Sequence, residues 1–369
     1  SCLNRLLAVA LRLLRLLRYK SLKSMKNLIR PSVRELTAYT PGEQPQAAGL
    51  IKLNTNENPY PPSPAVARAL KEFPAESLRL YPDPACTAVR ERVAELCGVP
   101  PAQVFAGNGS DEVLRLAIRA FTPPGGAAAA FDPTYSLYPV LAAAEEVDYL
   151  RVPLPEGFGW TAPPADLKAG LFLLANPNAP TGVFYPQEEI AAFAGRFPGV
   201  VLVDEAYVDF AGGRDSLALA KERPNVLVCR TLSKSFSLAG LRIGYAVGSP
   251  ELIGALFKLK DSYNVDRLAQ AVALAALGDV SWMQDNARRL VATRERVAGE
   301  LSRRGFRVTP SAANFLFIEP PAGESAADLF DRLRRRNILV RYFPGPRTKS
   351  FLRVSIGTDA QMDVFLAAL

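Results

Sequence analysis

One lysine stands among hydroxyl side chains in Thr231-Leu232-Ser233-Lys234-Ser235-Phe236-Ser237, and Arg242 follows eight residues later in a glycine-bounded turn. The preceding Val226-Leu227-Val228 reads as a short buried strand, so the lysine falls just past a strand end. An amine held among neutral hydroxyls, with a cation nearby, is one whose ammonium form is disfavoured. Lowering its pKa makes it nucleophilic enough to condense with a carbonyl. The hydroxyls and Arg242 are also groups that grip a phosphate. Taken alone, a Ser-Lys pair reads as an ordinary surface loop.

A second segment, thirty residues upstream, changes that reading. Val200-Val201-Leu202-Val203-Asp204-Glu205-Ala206-Tyr207 is a continuous apolar run ending in an acid. Such a run reads as a strand buried on both faces of a parallel sheet, where ligands bind at the carboxyl ends. Asp204 falls at that end; its alternative role is a helix N-cap. A phosphorylated aldehyde tethered to a lysine, with a carboxylate against a ring nitrogen, is pyridoxal 5'-phosphate in a site that uses its ring as an electron sink. Tyr207 can offer its hydroxyl to the ring oxygen. The third segment, Gly107-Asn108-Gly109-Ser110-Asp111-Glu112, precedes the helix-periodic Val113-Leu114-Arg115-Leu116-Ala117-Ile118. Free amides at a helix start, with the helix dipole, make an anion site. By itself this pattern is also a simple turn and cap.

These segments, with Asn176-Pro177-Asn178-Ala179-Pro180-Thr181-Gly182, resemble the signature set of aspartate-aminotransferase-type (fold type I) pyridoxal-phosphate enzymes. More narrowly, the chain resembles the histidinol-phosphate aminotransferase family. That match rests on Leu53-Asn54-Thr55-Asn56-Glu57-Asn58-Pro59, Arg79-Leu80-Tyr81-Pro82-Asp83, Asp132-Pro133-Thr134-Tyr135, Thr231-Leu232-Ser233-Lys234 and Phe351-Leu352-Arg353-Val354-Ser355-Ile356-Gly357. It runs from about Met25 to the last residue. The resemblance implies that Lys234 is the Schiff-base lysine and proton shuttle, Asp204 the partner of the pyridine nitrogen, and Tyr207 the donor to the ring oxygen. It implies that Tyr135 stacks on the ring, where the alternative is a core tyrosine. Ser110, Asp111, Thr231, Ser233 and Arg242 are implied to form the phosphate site, with Tyr81 reaching it across a homodimer interface. Arg353 is implied to receive a substrate carboxylate, a task suited to a planar fork. Arg341, Tyr39 and Asn58 are placed with the substrate contacts; an exposed edge arginine is the alternative for Arg341. Ala179 stands where the wider group has an asparagine on the ring oxygen, so either Asn178 takes that role or Tyr207 acts alone.

At 369 residues, with 49% hydrophobic and 22% charged side chains, the chain is long enough for two domains and has an ordinary globular composition. Cys2, Cys86, Cys97 and Cys229 are scattered with no Cys-x-x-Cys pair, which points to reduced thiols in a cytoplasm. There is no histidine. That excludes Ser-His-Asp and Cys-His catalysis and histidine metal sites, so no metal is expected. A general acid or base must be a lysine, carboxylate, tyrosine or thiol with a shifted pKa.

Residues 1–24 differ from the rest. Arg5, Arg12, Arg15, Arg18, Lys20 and Lys23 occur among leucines with no acid. Either this is a membrane-surface or transit-like helix, or it is upstream sequence and the natural start is Met25; the second reading is preferred. Without those six positive charges the net charge falls from +8 to +2, which removes the main support for a nucleic-acid role.

The expected architecture is α/β. An N-terminal arm (25–53) that wraps a neighbour is followed by a large domain (54–266) with a mostly parallel sheet covered by helices. A smaller α+β domain (267–369) completes it. A charged helix is expected over Ala287 to Arg303. The resemblance implies a homodimeric aminotransferase that exchanges an amino group between histidinol phosphate and 2-oxoglutarate in histidine biosynthesis. The alternatives are an aromatic aminotransferase, a phospho-amino-acid decarboxylase of the same fold, or a binding protein that keeps only the fold.

Overall fold

The computed structural model describes residues 28–45 and 49–369; the basic extension 1–24 lies outside them. The chain divides into two units, Ser1–Tyr39 and Thr40–Leu369. In the first, Pro31–Glu35 forms α1, where Pro31 pre-sets the backbone at the first helical position.

The second unit opens with β1 (Ile51–Lys52), α2 (Pro64–Glu72), α3 (Thr87–Cys97), β2 (Val104–Gly107) and α4 (Ser110–Phe121). Next come β3 (Ala127–Asp132), α5 (Tyr138–Ala144), β4 (Asp148–Pro153), β5 (Leu171–Ala175) and α6 (Gln187–Arg196). They are followed by β6 (Val200–Asp204), α7 (Leu217–Glu222), β7 (Val226–Thr231), β8 (Gly244–Val247) and α8 (Pro250–Leu259).

Strands β2 to β8 form one seven-stranded sheet in the order β2-β8-β7-β6-β5-β3-β4. Contacts from β7 through to β4 are parallel, and β8 runs antiparallel to both β7 and β2. Leu171 to Leu174, Val201 to Val203 and Val226 to Cys229 are wholly buried, because helices cover both faces. That is why these strands are continuous apolar runs and not alternating ones.

The rest of the chain is α9 (Arg267–Leu277), α10 (Val280–Arg303), β9 (Arg307–Thr309), β10 (Phe315–Glu319) and α11 (Ala326–Arg335), then β11 (Ile338–Leu339), β12 (Arg341–Tyr342), β13 (Leu352–Ser355) and α12 (Asp359–Ala367). A four-stranded antiparallel sheet has the order β12-β13-β10-β9, and β1 pairs in parallel with β11. Two features differ from the sequence reading. The helix expected over Ala287 to Arg303 begins seven residues earlier, at Val280. Helix α9 packs on α2 and α3, and its Val272, Ala273, Ala276 and Leu277 join the core that includes β5, β6 and β7 residues. By packing, α9 therefore goes with the large sheet.

Gly244 begins β8 opposite both Gly107 and Thr231. A Cβ there would lie 2.4 Å from the Ser110 amide nitrogen and 2.7 Å from the Gly109 carbonyl carbon, backbone atoms that cannot swing aside. Gly244→Ala should therefore lower stability by about 1–3 kcal/mol through overpacking. Gly240→Ala, whose Cβ would meet nothing within 4 Å, should stay within about 0.5 kcal/mol of the parent. Urea unfolding of the two variants side by side would check this.

Candidate active site

The parallel strands β3, β5, β6 and β7 end on one edge of the sheet, and β2 ends there too, antiparallel to β8. The turns beyond them carry Ser110 and Asp111 after β2, Tyr135 after β3 and Asn178 after β5. Asp204 ends β6 with Tyr207 close behind, and Ser233 and Lys234 follow β7. Residues far apart in sequence thus meet because crossover helices return the chain to the same starting edge.

Lys234 is partly buried, and its Nζ donates to the Thr55 carbonyl oxygen at 3.2 Å. The amine lies 5.8 Å from the centre of the Tyr207 ring. Desolvation pulls its pKa down to about 8, with the Arg353 and Arg242 guanidiniums acting in the same direction. Asp204 is buried, and desolvation pushes its carboxyl up to about 6. Its Oδ2 accepts from the Tyr138 hydroxyl at 2.7 Å and its Oδ1 from the Ala206 amide at 3.2 Å. Among the described residues Asp204 forms no ion pair, whereas the neighbouring Glu205 pairs with Arg230 at 2.8 Å. A buried acid at a strand end that lacks a cationic partner suits a protonated ring nitrogen.

Burial pushes the Tyr207 phenol up, and its oxygen accepts from Asn56 Nδ2 at 3.0 Å. Asn56 sits at φ 57°, and Ser355 fastens it twice, with its Oγ 2.8 Å from both the Asn56 amide nitrogen and Oδ1. Tyr135 meets Tyr138 edge to face, with ring centres 5.5 Å apart.

Helix α4 has Gly109 as its N-cap, so no cap side chain accepts from its first-turn amides. Arg242 lies across this start. Its guanidinium donates to Ser233 Oγ at 3.3 Å and pairs with Asp111 Oδ2 at 3.1 Å. The Thr231 hydroxyl donates to Ser233 Oγ at 2.9 Å. A Cβ on Gly109, at φ 77°, would come within 2.6 Å of the Arg242 guanidinium, which is why glycine stands there. Amides, hydroxyls and one guanidinium thus converge as an anion cradle.

Arg353 and Arg341 are register partners on β13 and β12. Both guanidiniums lie over Phe343, at 5.3 and 5.4 Å from its centre. Arg353 donates to the Asn54 carbonyl at 3.0 Å, and Arg341 to the carbonyls of Thr40 and Pro41 at 2.7 and 3.0 Å.

The remaining expected residues have these surroundings. Asn178 has both amide hydrogens on Pro133 O and Thr181 Oγ1, each at 3.0 Å, and its oxygen accepts from Thr134 at 2.8 Å. Its amide is consumed in shaping the turn. Asn58 donates to the Lys234 and Ser235 carbonyls at 3.1 Å each. Tyr81 is 75% exposed and stacks on Tyr263, with ring centres 4.4 Å apart. Tyr39 lies in the first unit. The sequence reading overlooked Tyr138 and Asn56. Tyr138 follows Tyr135 by three residues at the first position of α5, and Asn56 lies inside the quoted Leu53-to-Pro59 motif.

The Asp204 carboxyl, raised from 3.8 to about 6, binds its proton more tightly folded than unfolded. The folded state therefore loses stability as pH rises from about 4 to 6, and the burial cost is fully present above that range. Asp204→Asn keeps the shape and an acceptor for Tyr138 without the charge. In the cofactor-free protein its stability relative to the parent should climb by up to about 3 kcal/mol between pH 4 and pH 7. Urea unfolding at several pH values would show this; a difference that stays flat with pH would contradict the carboxylate's buried state.

The sequence model of the family described as "Aminotransferase class I and II" matches residues 48–369. A histidinol-phosphate aminotransferase of Chromohalobacter salexigens is 48% identical over 349 residues, covering 94% of this chain and 99% of the relative. One from a Nostoc species is 44% identical over 349 residues, covering 94% and 98%. The crystal structure of histidinol-phosphate aminotransferase from Sinorhizobium meliloti in complex with pyridoxal-5'-phosphate superimposes with a TM-score of 0.81 at 26% identity, covering 93% of this chain and 96% of that one. A partly buried lysine, a buried acid and an anion cradle on one sheet edge, in a chain matched along nearly its whole length, make this protein a member of the class I and II aminotransferases.

Proposed function

We propose that the protein binds pyridoxal 5'-phosphate and transfers an amino group between histidinol phosphate and 2-oxoglutarate, giving imidazole-acetol phosphate and glutamate, as a step of histidine biosynthesis. The observation that carries the reading is Lys234. Its amine, drawn down to about 8, lies on the same sheet edge as the buried acid Asp204 and the anion cradle. The choice of substrate rests on relatives named histidinol-phosphate aminotransferase at 42–48% identity. A neighbouring structure of L-threonine-O-3-phosphate decarboxylase, 22% identical, shares the fold alone.

When bound, the cofactor supplies an electron sink. The chain's own groups divide the remaining work. Lys234 is the nucleophilic amine and takes up and returns a proton at Nζ. Asp204 holds the charge of the ring nitrogen, with the Tyr138 hydroxyl favouring the ionised carboxylate. Tyr207, held by Asn56, faces the ring oxygen without help from Asn178, whose amide is occupied elsewhere. Tyr135 would lie against the cofactor ring. Ser110, Asp111, Thr231, Ser233 and Arg242 form the phosphate seat. Arg353 takes a substrate carboxylate; Arg341 takes the phosphate of histidinol phosphate.

Two coarser assignments belong with this reading. The protein acts as a homodimer, because Leu78, Leu80 and Tyr81 are exposed together and Tyr81 stacks on exposed Tyr263, an apolar surface that a second copy would cover. It works in the cytoplasm: Cys86, Cys97 and Cys229 are free and buried, and no described helix is long and apolar enough to cross a membrane. We also read the arm, the large domain and the small domain as 25–53, 54–266 and 267–369, with α9 packed on the large one.

Lys234→Ala should reduce glutamate formation from histidinol phosphate and 2-oxoglutarate to background, measured by a coupled assay. Appreciable residual turnover would remove the lysine from its role. Arg353→Ala should slow the glutamate half-reaction by about 10- to 100-fold, the loss of a charged hydrogen-bonded pair, while sparing histidinol phosphate, which has no carboxylate. Arg341→Ala should show the opposite bias. Turnover with phenylalanine and none with histidinol phosphate would overturn the substrate assignment and leave the fold standing.

A further inference from the structure

Lys234 is useful only if Nζ is delivered to one place, and a side chain with four rotatable bonds does not ensure that alone. The backbone that carries it is therefore the part to constrain. Asn58 Nδ2 lies 3.1 Å from the carbonyl oxygens of both Lys234 and Ser235. Its Oδ1 accepts from the Tyr60 amide at 3.0 Å, which fixes which way the amide faces. A carboxamide has two N–H donors, and both are taken by these carbonyls, so none remains for a ligand. From the other side, the Ser235 hydroxyl donates to Asp209. The tip of the lysine donates to Thr55 O, three residues before Asn58.

We infer that Asn58 is a positioning residue for Lys234, acting through the carbonyls of Lys234 and Ser235, and not a contact for the substrate. One stretch of chain thus grips the lysine at both ends, with the Thr55 carbonyl at the amine and the Asn58 amide at the backbone. Asp209 closes the turn through Ser235. Without Asn58 the two carbonyls turn to water, the turn gains freedom, and the amine samples positions away from its target. The cradle for the phosphate, built from α4, Ser233 and Arg242, does not contain Asn58 and keeps its geometry.

This inference rests on Lys234 being the amine that condenses with the cofactor aldehyde. Pyridoxine 5'-phosphate carries an alcohol where pyridoxal 5'-phosphate carries the aldehyde, so it reports on the cradle without the lysine. The full-length protein, dialysed free of cofactor, is titrated with each compound by fluorescence, with thermal unfolding followed in parallel. Asn58→Ala should raise the Kd for pyridoxal 5'-phosphate by about tenfold or more, since misplacement near 1 Å costs on the order of a hundredfold in reactive geometry. It should leave the Kd for pyridoxine 5'-phosphate within about twofold. Ser235→Ala, which loosens the turn from the Asp209 side without touching the Asn58 segment, should reproduce the same selective loss. Lys234→Ala should abolish the preference for the aldehyde. A parent protein with no such preference would overturn the reading of Lys234 itself. A parent that prefers the aldehyde, with Asn58→Ala keeping that preference or weakening both compounds equally, would overturn the positioning role alone.

Discussion

Two ionisable groups taken out of water on the same sheet edge, and kept from pairing with each other, are the constraint on which the rest of the structure depends. Lys234 falls to about 8 and Asp204 rises to about 6, in both cases chiefly through desolvation. Had they formed an ion pair, each would have stabilised the other's charge and the amine would have remained a tightly held ammonium. Instead the carboxylate turns to Tyr138 and the Ala206 amide, and the amine to the Thr55 carbonyl. Neutral partners satisfy hydrogen bonds without cancelling charge, so both groups retain an electrostatic demand that a cationic ring and an aldehyde can meet.

The segment 54–58 enforces that separation. Asn54 O accepts from Arg353, Thr55 O from Lys234, Asn56 donates to Tyr207, and Asn58 donates to the turn that carries Lys234. The segment leaves β1, which pairs with β11 beside the smaller sheet, and it is fastened by Ser355 at the end of β13 and by Asn314 before β10. One short run therefore ties residues that follow β6 and β7 to residues of β13. Its two buried polar side chains, Asn54 and Asn56, are both hydrogen-bonded, as buried polar groups must be.

The anion cradle follows a different logic. Helices α2, α8, α9, α11 and α12 begin with a serine, aspartate or threonine whose side chain accepts from the first turn. Helix α4 begins with glycine, and Arg242 approaches so closely that any side chain at Gly109 would collide with it. Its acidic first turn, Asp111 and Glu112, complements the helix dipole, while Asp111 also orients the arginine.

Much of this was legible in the sequence. The apolar runs of β6 and β7 located Asp204 at a strand end and Lys234 just past one, because a buried parallel strand needs a continuous apolar sequence and polar groups gather where it stops. The glycines before α4 marked the cradle for a similar local reason. Contacts across great sequence separation were not legible. The hydroxyl of Tyr138 on Asp204, the amide of Asn56 on Tyr207, and the hold of Pro133 and Thr134 on Asn178 depend on which groups the sheet order brings within 3 Å. The placement of α9 against α2 and α3 likewise follows from packing and not from its alanine-rich sequence. Residue type and local period determined which groups could do chemistry and where each strand delivered them. Only the tertiary structure decided which neutral partner each buried charge received, because that choice is made by distance between segments that the chain itself keeps far apart.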